Sequence, residues 1–454
     1  MGGGPTNAYS GSIQLTSAGG VDGSQSISNL WLDGRVGTTD VVHKAIMIRG
    51  RSNVLVRHVT FTHFLTSAAC FLGISTGGVF AVHETGNEFS SSTTTDCSDR
   101  GTDGGGVIQM SGQDGLVMRD STFNQFGRPM GQNGDVVFGI AGGNRGWSYY
   151  RNVSRKPDYD GAQVGAGGRG WNFVLEIWDN EGGTEIWGNT FRGGGDAIDI
   201  GGSNDTHDGY DYSWYVHDNL FALDAQVPAP VGAIVPMGVQ FEVPATDGIV
   251  SHNHFVRLAH GVQIILSHTG NIATQRISIH HNYFEEMGLS DGSIGGAMVN
   301  IGLTTGTVIG DIHIDDNTML SATASATTGQ SRAALMLDNR NPTGTIGPID
   351  FRDNIVEHVG TWGYITFNGS SAITGITSSH NMLFDNVMGN HDYTHVTTSL
   401  TPSTPTVTWA ATPDDIVADP MLGADGHPLT GSPAIGAGID VGYGTTIGAF
   451  DVDR

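Results

Sequence analysis

Lysine is almost missing from this sequence: Lys44 and Lys156 are the two in 454 residues. Basic side chains number 20 against 45 acidic ones, for a net charge of −25. So little positive charge leaves no footprint for a phosphate backbone, which excludes nucleic acid as a partner. Anionic membrane surfaces are disfavoured for the same reason, and no apolar run approaches the roughly 18 residues of a membrane span. Acidity on this scale suits a chain kept soluble by surface charge in a salty medium. Cysteine is scarce as well. Cys70 and Cys97 leave both a disulfide and two buried thiols open, and say nothing of redox compartment. The opening MGGGPTNAYSGS lacks the basic and apolar regions of a secretion signal, so an exported form is expected to have lost that segment.

Helical periodicity is also lacking. No segment carries apolar residues at a 3.6-residue spacing long enough for a major helix. Glycine, in contrast, is abundant at 69 residues, without the G-X-Y period of collagen.

What is present is a repeat. A short alternating strand, an Asn and an apolar residue recur, as in GTEIWGNTF (183–191), ISIHHNYF (277–284) and IHIDDNTM (312–319). The Asn residues fall at 152, 189, 219, 253, 282, 317, 354 and 381, spaced by 27 to 37 residues. Variable spacing fits a solenoid with variable loops, whereas a propeller keeps a tighter period. The expected fold is all-β, a single-stranded right-handed parallel β-helix with a C-terminal cap. Residues 1–388 form the helix, and 389–454 a Thr/Pro-rich segment and capping region over the last coil. The Asn residues then stack as a structural ladder, and His252, His281 and His380, which precede ladder positions, belong to the repeat. Trp187 is expected in the core.

A second strand precedes each Asn strand. Aligning these strands by their Gly-terminated ends puts Gln109, Glu176, Asp199, Gln240, Gln263 and Asn300 in one outward column, with Glu242 two residues beyond Gln240 and Asp196 at the strand edge. Strands stacked at about 4.8 Å place Glu176 and Asp199 about 5 Å apart, with Glu242 about 10 Å from Glu176. Paired carboxyls at such separations carry glycoside hydrolysis: roughly 5–5.5 Å apart in retaining enzymes and 6.5–9.5 Å in inverting ones. Glu176, Asp199 and Glu242 are therefore the candidate catalytic residues, weighed against a plain polar ladder that solvates a sheet. Trp178, Asp196, Tyr210, Gln240, Arg257, Gln263 and His268 are the candidate substrate contacts. The loop 201–213 carries Asp205, Asp208 and Asp211, which with His207 could hold Ca²⁺, although an Asx-rich turn is the plainer reading.

The opening ISNLWLDGR and IMIRGRSNVLVRHVTF, the Asn-punctuated coils and the closing DPML, GSPAIGAG and IGAF together resemble secreted pectate-lyase-like β-helix proteins over nearly the whole chain. That resemblance implies a location outside the cytoplasm, at the cell surface or beyond. It also implies an activity among polysaccharide lyases, glycoside hydrolases, epimerases, phage depolymerases and adhesins. The NTD, DD, GHG and RIK motifs of polygalacturonases and the DPH-type motif of alginate epimerases are absent, so no catalytic residue carries over. The expectation is an extracellular polysaccharide-degrading enzyme, with hydrolysis favoured over elimination because carboxylates dominate and bases are scarce. A Ca²⁺-assisted lyase on uronic-acid glycans is the alternative within enzymes. A non-catalytic adhesin, fibre subunit or glycan-binding protein is the alternative outside them. An oligomer is compatible with each.

Overall fold

The computed structural model describes residues 11–34, 42–76, 79–97, 106–124, 135–139, 142–158, 174–177, 180–194, 196–200, 213–223, 236–241, 246–266, 274–287, 296–303, 308–321, 333–339, 344–359, 365–369, 372–386, 394–395, 407–411, 414–440 and 444–450. Among these there is no helix, and the chain divides into two compact units, Met1–Trp214 and Tyr215–Arg454. Each unit is a right-handed parallel β-helix, the hand that parallel crossovers adopt because twisted strands pack back onto their sheet that way.

In the first unit, one parallel sheet runs through Ile13–Asp22, Lys44–Ser52, Ser67–Leu72, Gly106–Ser111, Asp135–Gly139, Leu175–Ile177 and Asp196–Ile200. In the second, the equivalent sheet runs through Met237–Phe241, His260–Leu266, Ala297–Leu303, Ala333–Asn339, Ile365–Gly369 and Thr394–His395. After its strand in this first sheet, each coil adds short strands to a second sheet, typically a pair separated by a tight turn, such as Val117–Arg119 and Thr122–Asn124.

The core lies between the sheets and is built of ladders. Ile46, Ala69, Ile108, Val137, Leu175 and Ile198 occupy successive rungs and are buried. Aromatic rings form a second ladder. Phe61, Phe89, Phe123, Tyr149 and Phe191 stack at centroid spacings of 6.0–6.1 Å. The register column here is Phe61, Thr94, Phe123, Ser154 and Phe191, so two rungs lack a ring. Phe89 and Tyr149, from the preceding strands, fill those holes. Tyr149 shares a 2.8 Å hydrogen bond with Ser154 Oγ, and burial pushes its phenol well above the usual range, so it stays neutral. Trp187 is not part of this core. It lies half-buried on the outer face, stacked on Tyr150 at 4.7 Å, while Trp147 and Trp214 take the buried positions.

The Asn ladder is continuous in the second unit. Each of the backbone N–H groups of Asn219, Asn253, Asn282, Asn317 and Asn354 donates to Oδ1 of the next ladder Asn at 3.0–3.1 Å. The row ends where Asn381 donates to Asp415 Oδ1. In the first unit, Ser121 and Asn152 donate to Asn152 and Asn189 in the same way. The preceding residue always has left-handed backbone, from Asp218 (φ 55) through His252 (54) and His281 (53) to His380 (57). That conformation is costly for most side chains and most tolerable for Gly, Asn, Asp and His, which accounts for the His-Asn and Asp-Asn pairs.

Cys70 and Cys97 are buried free thiols, so there is no disulfide. Beyond strand Ile416–Val417, the C-terminal segment turns back along the flank of the second unit. Ala434 and Ile447 pack on Ile355 and Met382, Ala449 N–H donates to Thr318 Oγ1, and Phe450 meets Tyr283 edge-on.

His260 opens its strand with a fully buried ring whose Nδ1 faces the backbone of Ala297 at 2.8–3.1 Å. Burial pulls its pKa from 6.5 down to about 4. The unfolded chain then binds a proton between pH 6.5 and about 4 that the folded chain refuses, so stability falls as pH drops through that window. The expected loss is roughly 3 kcal/mol for this group. Asp315, raised by burial to about 6 against the pull of Arg352, works in the opposite direction. Thermal melts of His260→Gln should show a flatter decline between pH 6.5 and 4 than the parent, and parallel curves would refute the assignment.

Candidate active site on the outer face of the first sheet

Strand alternation places one set of side chains on the sheet face opposite the core ladder. In the first unit the register of that outer column reads Met47, Cys70, Gln109, Phe138, Glu176 and Asp199. Glu176 and Asp199 are direct partners on adjacent rungs, about 4.8 Å apart at the backbone. At each, the two flanking residues are core-facing: Leu175 and Ile177, Ile198 and Ile200. Parity therefore fixes both acids on the outer face.

Their exposure differs from the expected open wall. Glu176 and Asp199 are each 2% exposed, and Gln109 is fully buried. The outer column is a screened, low-dielectric environment, in which charge interactions are stronger than at an open surface. Three rungs before Asp199, Gln109 Oε1 accepts a hydrogen bond from Lys44 Nζ at 3.2 Å, and Cys70 Sγ lies 3.6 Å from the same oxygen. Burial pushes the Cys70 thiol up, while the charge of Lys44 opposes it. A buried Lys–Gln–Cys cluster on the outer face escaped the sequence reading. Its signal was a rare lysine placed directly before the apolar run AIMI.

The second unit carries an amide row. Gln240, Gln263 and Asn300 are register partners, followed by Met336 and Thr366. Gln263 and Asn300 are 8% and 7% exposed, and Oε1 of the first and Oδ1 of the second lack hydrogen-bond partners among the described residues. Buried amide oxygens in this state favour a donor such as a sugar hydroxyl. Asp338 sits two residues beyond Met336 in its strand, on the same face.

Arg257 does not join either column. It follows strand His254–Val256 of the second sheet with left-handed backbone (φ 61), and its Nε donates to Glu286 Oε2 at 2.6 Å. The reason is local: Arg257 is a turn residue of the repeat, paired with the equivalent position of the next coil. Asp196 opens strand Asp196–Ile200. Glu242, Trp178, Tyr210, His268, and the proposed metal ligands Asp205, Asp208 and Asp211 lie outside the described residues. Among the described residues, no group of three or more His, Cys, Asp or Glu side chains is placed to hold a metal ion. None of the helices needed to cross a membrane is found among them either.

No family model matches the chain, and no curated protein matches it. Among solved structures, the catalytic domain of Agl-KA aligns with a TM-score of 0.46 and 10% identity over 85% of this chain and 61% of that one. This chain thus spans about three fifths of that domain's length. The A-module of the mannuronan C-5 epimerase AlgE4 from Azotobacter vinelandii aligns with a TM-score of 0.31 and 12% identity, over 81% of this chain and 91% of that one. The family 28 exopolygalacturonase of Yersinia enterocolitica gives a TM-score of 0.21 and 12% identity, over 85% and 48%. By its own strand pairing, this chain has the right-handed parallel β-helix fold that its sequence resemblance to pectate-lyase-like proteins implied.

Proposed function

We propose that the chain is an extracellular enzyme acting on polysaccharide, and that it hydrolyses a glycosidic bond with Glu176 and Asp199. The observation that carries this reading is the direct pairing of two carboxylates on adjacent rungs of a screened sheet face. Two buried carboxylates on neighbouring rungs are costly to desolvate, and the apolar ladder of the stack does not require them. The rung spacing suits the roughly 5–5.5 Å separation of a retaining pair, in which one carboxyl protonates the leaving oxygen and the other attacks the anomeric carbon. The amides of Gln240, Gln263 and Asn300 supply acceptors and donors for sugar hydroxyls on the same sheet face of their unit. The scarcity of lysine and arginine is what favours hydrolysis over elimination, since a lyase must neutralise a uronate carboxylate with Ca²⁺ or a cationic side chain such as arginine.

The test is digestion of a panel of neutral and uronic-acid polysaccharides, followed by reducing-end and ultraviolet assays. New saturated reducing ends support the proposal. An unsaturated product, absorbing through a new double bond, replaces it with elimination. No product from any glycan turns the reading to a binding protein or adhesin.

A further inference from the structure

The second unit builds two rows of stacked amides, and they differ. In the Asn ladder at the turns, each side-chain oxygen from Asn253 to Asn381 accepts the backbone N–H of the preceding ladder residue. The outer row on the first sheet is not closed in this way. Gln263 and Asn300 are direct partners on adjacent rungs. Val262 and Ile264 flank the first, Val299 and Ile301 the second, and all four are buried in the core, so parity turns both amides outward. Gln263 Oε1 and Asn300 Oδ1 are buried and accept no hydrogen bond among the described residues.

An open buried acceptor is costly to the free protein, and a ligand that brings a donor removes that cost. Neither residue is sealed off. Gln263 and Asn300 keep 8% and 7% of their surface, whereas Gln109 in the outer column of the first unit is fully enclosed. The terminal torsion of an amide is soft, so a small rotation presents its oxygen to an incoming donor. Gly302 lies two residues beyond Asn300 on the same face, between Ile265 and Asp338 in register. Its backbone is not left-handed, and a Cβ there would meet nothing nearer than Ile265 Cγ1 at 3.5 Å among the described residues. Neither backbone conformation nor crowding by these neighbours calls for glycine at this position.

The chemistry of the row describes its ligand. An amide is uncharged and both gives and takes hydrogen bonds, as a hydroxyl does. Two such groups one rung apart suit neighbouring hydroxyls of one sugar ring, and Met336 on the next rung adds apolar contact for its C–H groups. A uronate meets the opposite. Asp338 places a carboxylate on this face, and the strands Met237–Phe241, His260–Leu266, Ala297–Leu303, Ala333–Asn339 and Ile365–Gly369 contain no lysine or arginine to offset a second one. We propose that Gln263 and Asn300 form a subsite for an uncharged sugar unit, so that the glycan recognised is neutral and not uronic. This rests on the glycan reading but not on the acid pair, which lies in the other unit.

The experiment is calorimetric titration of the full chain carrying Glu176→Gln, which keeps the glycan whole. The probes are the hexasaccharides of xylan, cellulose, mannan and laminarin, and oligogalacturonate and oligomannuronate of the same length. Saturable binding of at least one neutral probe is expected, with an affinity indifferent to salt. The uronates should bind about tenfold more weakly or worse. Gln263→Met and Asn300→Leu, added singly, should each weaken the neutral probe by about three- to tenfold. Each variant should also keep the urea midpoint of the free protein at or above the parent's, because an apolar group of similar shape replaces an open buried acceptor. That second readout separates binding from a structural role. No saturation by any neutral probe, uronates bound as tightly, affinity indifferent to both substitutions, or a lowered midpoint in both would overturn the proposal. Neutral sugar held by the row with no glycan cleaved would remove the hydrolase reading and leave the subsite. Cleavage of a glycan whose binding ignores both substitutions would do the reverse.

Discussion

Asn282→Ala should lower the stability of the second unit by about 3–5 kcal/mol. Asn282 Oδ1 accepts from the backbone N–H and the side-chain amide of Asn253, both at 3.0 Å. Its Nδ2 lies 2.8 Å from Val250 O, 3.1 Å from His280 O and 3.0 Å from Asn317 Oδ1. Truncation leaves a buried backbone N–H and at least one buried carbonyl without partners, at about 1–3 kcal/mol for each orphaned group. Each coil rests on its neighbours, so the defect propagates along the stack. A valine for the adjacent His281 should cost roughly 1–2 kcal/mol, because a β-branched residue resists its φ of 53°, while glycine should be close to neutral. Urea unfolding measures all three. An Asn282→Ala midpoint within error of the parent would show that the ladder is ornamental to stability.

The second large effect is on turnover. Asp199→Asn and Glu176→Gln keep the shape of each side chain and remove its ability to ionise. Each should cut kcat by about 10²–10⁴-fold, the range for loss of a positioned acid, base or nucleophile. The double variant should be little slower than the worse single one, because the two act as a unit. Both single variants should retain the parent's circular dichroism and most of its unfolding midpoint, unlike Asn282→Ala. A collapse of fold in step with activity would assign the pair a structural role instead.

The repeat was readable because period-2 alternation and an Asn after each strand set parity and register together. Gly-terminated strand ends were enough to align Gln109 with Glu176 and Asp199, and Gln240 with Gln263 and Asn300, rungs that the pairing reproduces. Phe138, whose strand the alignment left out, stands between Gln109 and Glu176. Exposure was not readable. Whether an outer sheet face is screened depends on chain excursions between coils, which follow no period, and so the acid pair was expected in the open. The turn position of Arg257 was not readable, because a left-handed turn residue leaves little trace in sequence when it is arginine. The Phe89 and Tyr149 substitutions in the ring ladder were hidden for a different reason. They satisfy a volume requirement across neighbouring strands, while Thr94 and Ser154 at the ladder positions look like defects in the repeat. The C-terminal segment was expected as a cap over the last coil from residue 389; strands Thr394–His395, Val407–Ala411 and Ile416–Val417 instead extend both sheets, and the residues beyond them follow the flank. Its course along the flank depends on Gly426 closing onto Tyr283, a contact 143 residues apart that no local pattern reveals.

The most direct test of the glycan-cleaving claim is a crystal structure of Asp199→Asn with an oligosaccharide chosen from the active polysaccharide. The account predicts sugar rings along the outer face of the first sheet, with a glycosidic oxygen within hydrogen-bond reach of Glu176 or Asn at position 199. Sugar bound elsewhere on the molecule, with the Glu176 rung bare at saturating ligand, would contradict it.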